Sequence, residues 1–184
     1  MEVIDLLRDV LGQRTIFVGI GNALRGDDGF GPYFINKLKG KNLLPEDCLL
    51  SVEDVPENFA FPLSRKQVES VIFVDAVIMK APAGSVVFGP LGAFEEVGEI
   101  ASTHRLSLRL TARIIEETGK KVFILGVVPK TTEFGRGMTP LITRVADELV
   151  ELVSHLISEK KEFTKNKAAE IRDLKGKARK KEKA

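Results

Sequence analysis

The chain has 184 residues, 43% of them hydrophobic and 29% charged, with a net charge of +2. That length and balance fit one globular domain with a sizeable core and argue against a fibrous or disordered chain. A single cysteine, Cys48, excludes an internal disulfide and the Cys-rich zinc signatures.

From the N-terminus, Val3, Ile4, Leu6, Leu7, Val10 and Leu11 repeat at helical spacing among acidic residues. The pattern predicts an amphipathic helix over 2–11 and not a secretion signal, whose start would be basic and whose centre would be uninterrupted. Short β-branched and aromatic runs predict strands over 15–20, 48–52, 71–76, 85–88 and 122–127. Helical patterns fall between and after them, over 32–39, 57–66, 105–118 and 139–158. This alternation predicts an α/β domain of three layers, α/β/α, with a mostly parallel sheet of about five strands and helices on both faces.

Pro32 suits the first turn of its helix, and Gly119 suits a helix stop. In 105–118 the apolar residues Leu106, Leu108, Leu110, Ala112 and Ile114 alternate as in a strand. Length, a possible Ser102 or Thr103 cap and the spacing of Leu106, Leu110 and Ile114 decide for a helix. Cys48 continues into Leu49 and Leu50 and reads as a small buried hydrophobe, with a reactive thiol as the lesser alternative.

No apolar run approaches the roughly 20 residues that a spanning helix needs, so a cytoplasmic protein is expected. The 11 basic and five acidic residues of 159–184 make that segment +6, which leaves residues 1–158 at −4. The division is a domain over 1–158 and a basic tail over 159–184, helical or disordered. Such a tail could meet nucleic acid, a membrane or an acidic protein, or simply be solvated. It has no aromatic residue after Phe163, so no nucleic-acid partner is expected, and no membrane partner either.

The segment Gly19-Ile20-Gly21-Asn22, followed by Gly26-Asp27-Asp28-Gly29, joins the first strand to a helix. Leu24 stands where a dinucleotide loop has its third glycine, and two acids would repel a phosphate there. Adjacent carboxylates on a glycine-rich turn suit a cation, or one of them caps the following helix. Asp75 ends the strand 71–76, on the edge where open α/β sheets bind ligands. With His104 at a helix start, Asp28 and Asp75 could make a site of one imidazole and two carboxylates, leaving open positions on zinc or nickel. The other histidine, His155, lies among Leu152, Val153, Leu156 and Ile157 and reads as helix packing. No Gly-x-Ser-x-Gly elbow supports a serine hydrolase.

These residues resemble the hydrogenase maturation protease family. The likeness runs from the glycine-rich segment at 19–32 through Val55-Pro56-Glu57-Asn58, Val74-Asp75-Ala76 and Ser102-Thr103-His104. It ends with Leu125-Gly126-Val127-Val128-Pro129 and Met138-Thr139-Pro140, and so covers about residues 14–157. It implies a twisted sheet and an endopeptidase that removes the C-terminal extension of a nickel–iron hydrogenase large-subunit precursor. The family's catalytic and metal-contacting trio falls on Asp28, Asp75 and His104, with Asp27 in support. The nickel is implied to arrive with the substrate; whether the enzyme holds a tightly bound metal of its own stays open. The enzyme is expected to be a monomer. The same trio would also serve a nickel-dependent chaperone that binds the precursor without cutting it. One departure stands out: many relatives carry a Gly-Gly pair before the Pro-Glu-Asn region, where this chain has Val52-Glu53-Asp54.

Overall fold

The structure, a computed structural model, describes residues 3–11, 14–53, 55–97, 101–102 and 105–181. Five strands form the main sheet: β1 (Thr15–Gly19), β2 (Leu49–Ser51), β3 (Ser70–Ile78), β4 (Val86–Pro90) and, after the two-residue β5 (Ala101–Ser102), β6 (Lys121–Val127). Their spatial order is β2-β1-β3-β6-β4, and β5 pairs only with the far end of β3. β2, β1, β3 and β6 are parallel; β4 joins β6 antiparallel at the edge. The sheet expected from the alternating pattern is therefore present, with one antiparallel edge strand.

Two faces of the same strands supply two cores, because successive side chains point to opposite sides. Phe17, Ile72, Val74, Phe123 and Leu125 point to one face. There they meet α1 (Val3–Val10), α2 (Phe30–Gly40) and α6 (Pro140–Lys181) through Leu7, Phe34, Leu38, Ile142 and Val153. Ile16, Val18, Val71, Phe73, Val122 and Ile124 point to the other face. They meet α3 (Ala60–Ser64), α4 (Leu91–Val97) and α5 (Arg105–Glu116) through Leu63, Leu91, Leu108, Ala112 and Ile115. Strands buried on both sides are why these segments read as continuous apolar runs.

Helix α5 is a helix, as its length indicated, but it buries a different face from the one expected. Leu108, Thr111, Ala112 and Ile115 are buried, whereas Leu110 is 57% exposed. Helix α6 also runs past its expected end. Among its described side chains the last buried one is Ile157, yet the helix continues to Lys181. Lys160 reaches back to the last carbonyls of α1, donating to Asp9 O at 3.1 Å. No helix among the described residues is long and apolar enough to cross a membrane.

Candidate functional site

Strand β1 stops at Gly19, level with Val74 of β3, while β3 runs on to Ile78, and the start of α2 is pressed onto this step. The main-chain N–H of Ile20 donates to Val74 O at 2.8 Å. A Cβ on Gly31 would stand 2.2 Å from Ile20 O and 2.4 Å from Val74 O. Only glycine lets the helix come this close, and the approach brings the preceding turn against β3. That turn is a short 3-10 segment, Gly26–Gly29, which carries Asp27 and Asp28 and passes directly into α2.

Neither aspartate caps a helix; no side-chain cap bond is made at the start of the 3-10 turn or of α2. Because the acids lie inside a continuous helical turn, their carboxylates are free to reach elsewhere. Asp28 is 3% exposed. Its Oδ2 accepts the main-chain N–H of Asn22 at 2.8 Å, and Asn22 Oδ1 in turn accepts the N–H of Leu24 at 2.9 Å. Asp28 is thus held by the loop that precedes it. Asp75, expected to end its strand, instead lies fully buried within β3, one residue past the point where β1 stops and with β3 continuing to Ile78.

Asp27 has another task. It is fully buried, and four donors converge on its carboxylate. Oδ2 accepts from Lys130 N (2.8 Å), Thr131 N (3.1 Å) and Thr139 Oγ1 (3.1 Å), and Oδ1 accepts from Thr139 N (2.7 Å). A carboxylate has about four lone-pair positions, so this one is saturated. Asp27 therefore serves as a strap between the glycine-rich loop and the loop that follows β6. Backbone bonds from Gly26 N to Arg136 O, Asp27 N to Thr131 O and Gly135 N to Leu24 O reinforce it. Lys130 and Thr131 carry no signal of this role in the sequence, and in Met138-Thr139-Pro140 the available signal is Thr139 immediately before the proline that opens α6.

The loop after β2 closes a third side. Gly21 N donates to Glu53 O at 3.1 Å, and Gly21 itself lies against the backbone of Asp28. Glu53 adopts φ +48°, a left-handed conformation unusual for a side-chain-bearing residue. This is the loop in which the sequence departs from the expected family pattern. The segment Pro56–Phe59 then forms a 3-10 turn with Pro56 in its first position.

His104 and Thr103 lie outside the described residues. On either side, Ser102 pairs with Val77 of β3 and α5 begins at Arg105. Among the described residues no three His, Cys, Asp or Glu side chains stand together as metal ligands. His155 does not pack into the core as expected: its side chain is 69% exposed, with Nε2 3.4 Å from Glu159 Oε1. It falls between the buried positions Val153 and Leu156 and faces solvent. Cys48 is buried just before β2, at the amino end of that strand whereas Asp28 follows the carboxyl end of the parallel β1, and burial pushes the thiol pKa up. That makes it core rather than nucleophile.

The family model described as HycI, hydrogenase maturation protease, matches residues 32–156. The chain belongs to the hydrogenase maturation protease family. Among solved structures, it is similar to the [NiFe] hydrogenase maturation protease HycI from Thermococcus kodakarensis, with 31% identity and a TM-score of 0.71. That alignment covers 83% of this chain and 99% of the other. It is also 25% identical to the hydrogenase 2 maturation protease of Escherichia coli, over 77% of this chain and 88% of that protein. The hydrogenase maturating endopeptidase HybD of Escherichia coli shares the fold at a TM-score of 0.64 and 21% identity, over 79% of this chain and 93% of that one. As a member of this family the protein is a peptide-bond hydrolase with a role in hydrogenase processing.

Proposed function

We propose that this maturation protease removes the C-terminal extension of a nickel–iron hydrogenase large-subunit precursor after nickel has been inserted. In this reading Asp28, Asp75 and His104 contact the nickel that the precursor carries. The observation that supports it best is the contrast between two neighbouring carboxylates. Asp27 is saturated by four donors. Asp28, among the described residues, accepts a single bond at Oδ2, which leaves Oδ1 as an acceptor on the turn that follows β1. A carboxylate anchored at one oxygen and available at the other is pre-oriented for a cation.

Two carboxylates and an imidazole make a donor set that nickel accepts while keeping open positions. Contact with a substrate-borne nickel would seat the precursor and fix the scissile bond near the same carboxylates. One of them could then take a proton from an attacking water, provided the peptide lies within hydrogen-bond reach. Nickel dependence would follow from recognition, since a precursor without the metal offers the trio nothing to bind.

The test is a processing assay with nickel-loaded and nickel-free precursor, followed by mass spectrometry of the large subunit's C-terminus. Loss of one defined peptide from the loaded precursor alone is expected. Equal cleavage of both forms would overturn the nickel-recognition step. Nickel-dependent binding without any cleavage would favour a chaperone role.

A further inference from the structure

The two loops strapped together by Asp27 carry apolar side chains that the fold leaves in water. Leu24 is 62% exposed and Phe134 is 75% exposed. Apolar side chains on a mobile loop would be unremarkable, but these sit on a braced one. Gly135 N donates to Leu24 O at 2.8 Å, and Gly26 N donates to Arg136 O at 2.8 Å. Leu24 N is held by Asn22 Oδ1, and Asn22 N is held by Asp28 Oδ2. A chain of hydrogen bonds therefore runs from Asp28 through Asn22 and Leu24 to the residue after Phe134. The backbone beneath these two side chains is therefore fixed before any partner arrives, which lowers the ordering cost of a contact made on them.

Beside this shelf is a groove of about 390 Å³, lined in part by Ala23, Gly29, Pro32, Tyr33, Met138 and Thr143. Ala23 adjoins Leu24 in the chain and Gly29 adjoins Asp28, so the groove borders the loop that carries both residues. The local charge is distinct too. Arg25, Lys130 and Arg136 are exposed here against one acid, Glu133, which pairs with Arg136 at 2.7 Å. A positive shelf thus stands on a domain, residues 1–158, whose net charge is −4.

We infer that Leu24, Phe134 and the adjoining groove form a docking surface for the C-terminal segment of the precursor, bound as an extended peptide. An apolar side chain of that segment packs on Leu24 and Phe134, and a carboxylate faces Arg25 and Lys130. The inference rests on the processing function proposed above and adds a site that reads the polypeptide itself, separate from the metal. Continuity with the Asp28 loop and charge complementarity favour a peptide with an acidic group over a second copy of this chain, whose domain bears only a mild negative charge.

The experiment uses the full chain and nickel-loaded precursor, comparing wild type with the Leu24→Ser, Phe134→Ser double variant and with Arg25→Glu. Cleavage by the wild type reads the proposed function; the variants read the docking surface. The double variant is expected to raise KM for the precursor roughly tenfold or more while kcat at saturation stays within about threefold. Arg25→Glu is expected to raise KM more at low salt than at high salt. Phe134→Leu should restore most of the affinity, which a purely structural role for the loop would not predict. Normal KM in a folded double variant, with the wild type active, overturns the docking surface and leaves the proposed function standing. If the double variant unfolds, the single substitutions and Arg25→Glu carry the same test. If the wild type neither cleaves nor binds the precursor, both fall.

Discussion

Thr139 is bonded twice to Asp27, its main-chain N–H to Oδ1 at 2.7 Å and its hydroxyl to Oδ2 at 3.1 Å. The two residues are 112 positions apart, so this contact closes most of the domain around the candidate site. It also explains why two adjacent aspartates have different fates. Asp27 spends its charge on the loop after β6, and Asp28, one residue on, accepts a single hydrogen bond among the described residues, at Oδ2.

Asp27 should therefore be the more costly of the pair to remove. Asp27→Ala would leave the N–H groups of Lys130, Thr131 and Thr139 without their acceptor in a buried setting. Each such loss costs about 1–3 kcal/mol, so a destabilisation of about 3 kcal/mol or more is expected. Urea denaturation with the slope unchanged would measure it. A loss below about 0.5 kcal/mol would show that water or a shifted loop replaces the strap.

The proposed trio should behave in the opposite way. Asp28→Asn keeps an acceptor for Asn22 N–H, and Asp75→Asn keeps the buried volume. Both should stay within about 1 kcal/mol of wild type in denaturation, and processing should fall by roughly a hundredfold or more. His104→Ala is expected to lose processing to the same degree. Processing preserved in any folded variant would remove that residue from the proposed site.

Much of this was legible in the sequence because burial writes itself into strands. β1, β3 and β6 are covered on both faces, so their segments are apolar throughout and their type and order could be read. The glycine-rich turn was legible because close approach demands glycine at Gly31. Other elements left no such mark. β5 has two residues, too few for any period. α4 was missed because Leu91–Val97 is seven residues long and only Leu91 among its described side chains is buried. The burial face of α5 was misjudged since leucine spacing cannot reveal which leucine meets solvent. Asp27 was invisible as a strap because its partners are main-chain N–H groups, which every residue but proline possesses.

The close approach at Gly31 gives a third expectation. Gly31→Ala would place a methyl group 2.2 Å from Ile20 O, where backbone cannot yield as a flexible side chain would. Helix α2 would have to lift away from β1 and β3. A destabilisation of about 3 kcal/mol or more is expected, at or beyond the usual range for overpacking. Because Asp28 lies in the 3-10 turn that passes directly into α2, processing by the folded fraction should fall as well. A variant of normal stability would mean that α2 shifts freely and that the site tolerates its movement.

Glu53 offers the reverse case, a substitution that should cost nothing. Its φ of +48° places it in the region that glycine occupies without strain, and other residues pay about 1 kcal/mol or more to be there. Its contribution to the site is the carbonyl that accepts Gly21 N–H, and any residue supplies that group. Glu53→Gly removes the left-handed strain but adds freedom to the unfolded chain worth about 0.4–1 kcal/mol. The two nearly offset, so the midpoint should stay level or rise slightly, with processing retained. Glu53→Val should lose about 1–2 kcal/mol, since a β-branched residue resists this conformation most. The pair separates backbone from side chain. If Glu53→Gly is as damaging as Glu53→Val, the carboxylate itself is needed, and the loop acts through side-chain chemistry rather than through backbone geometry alone.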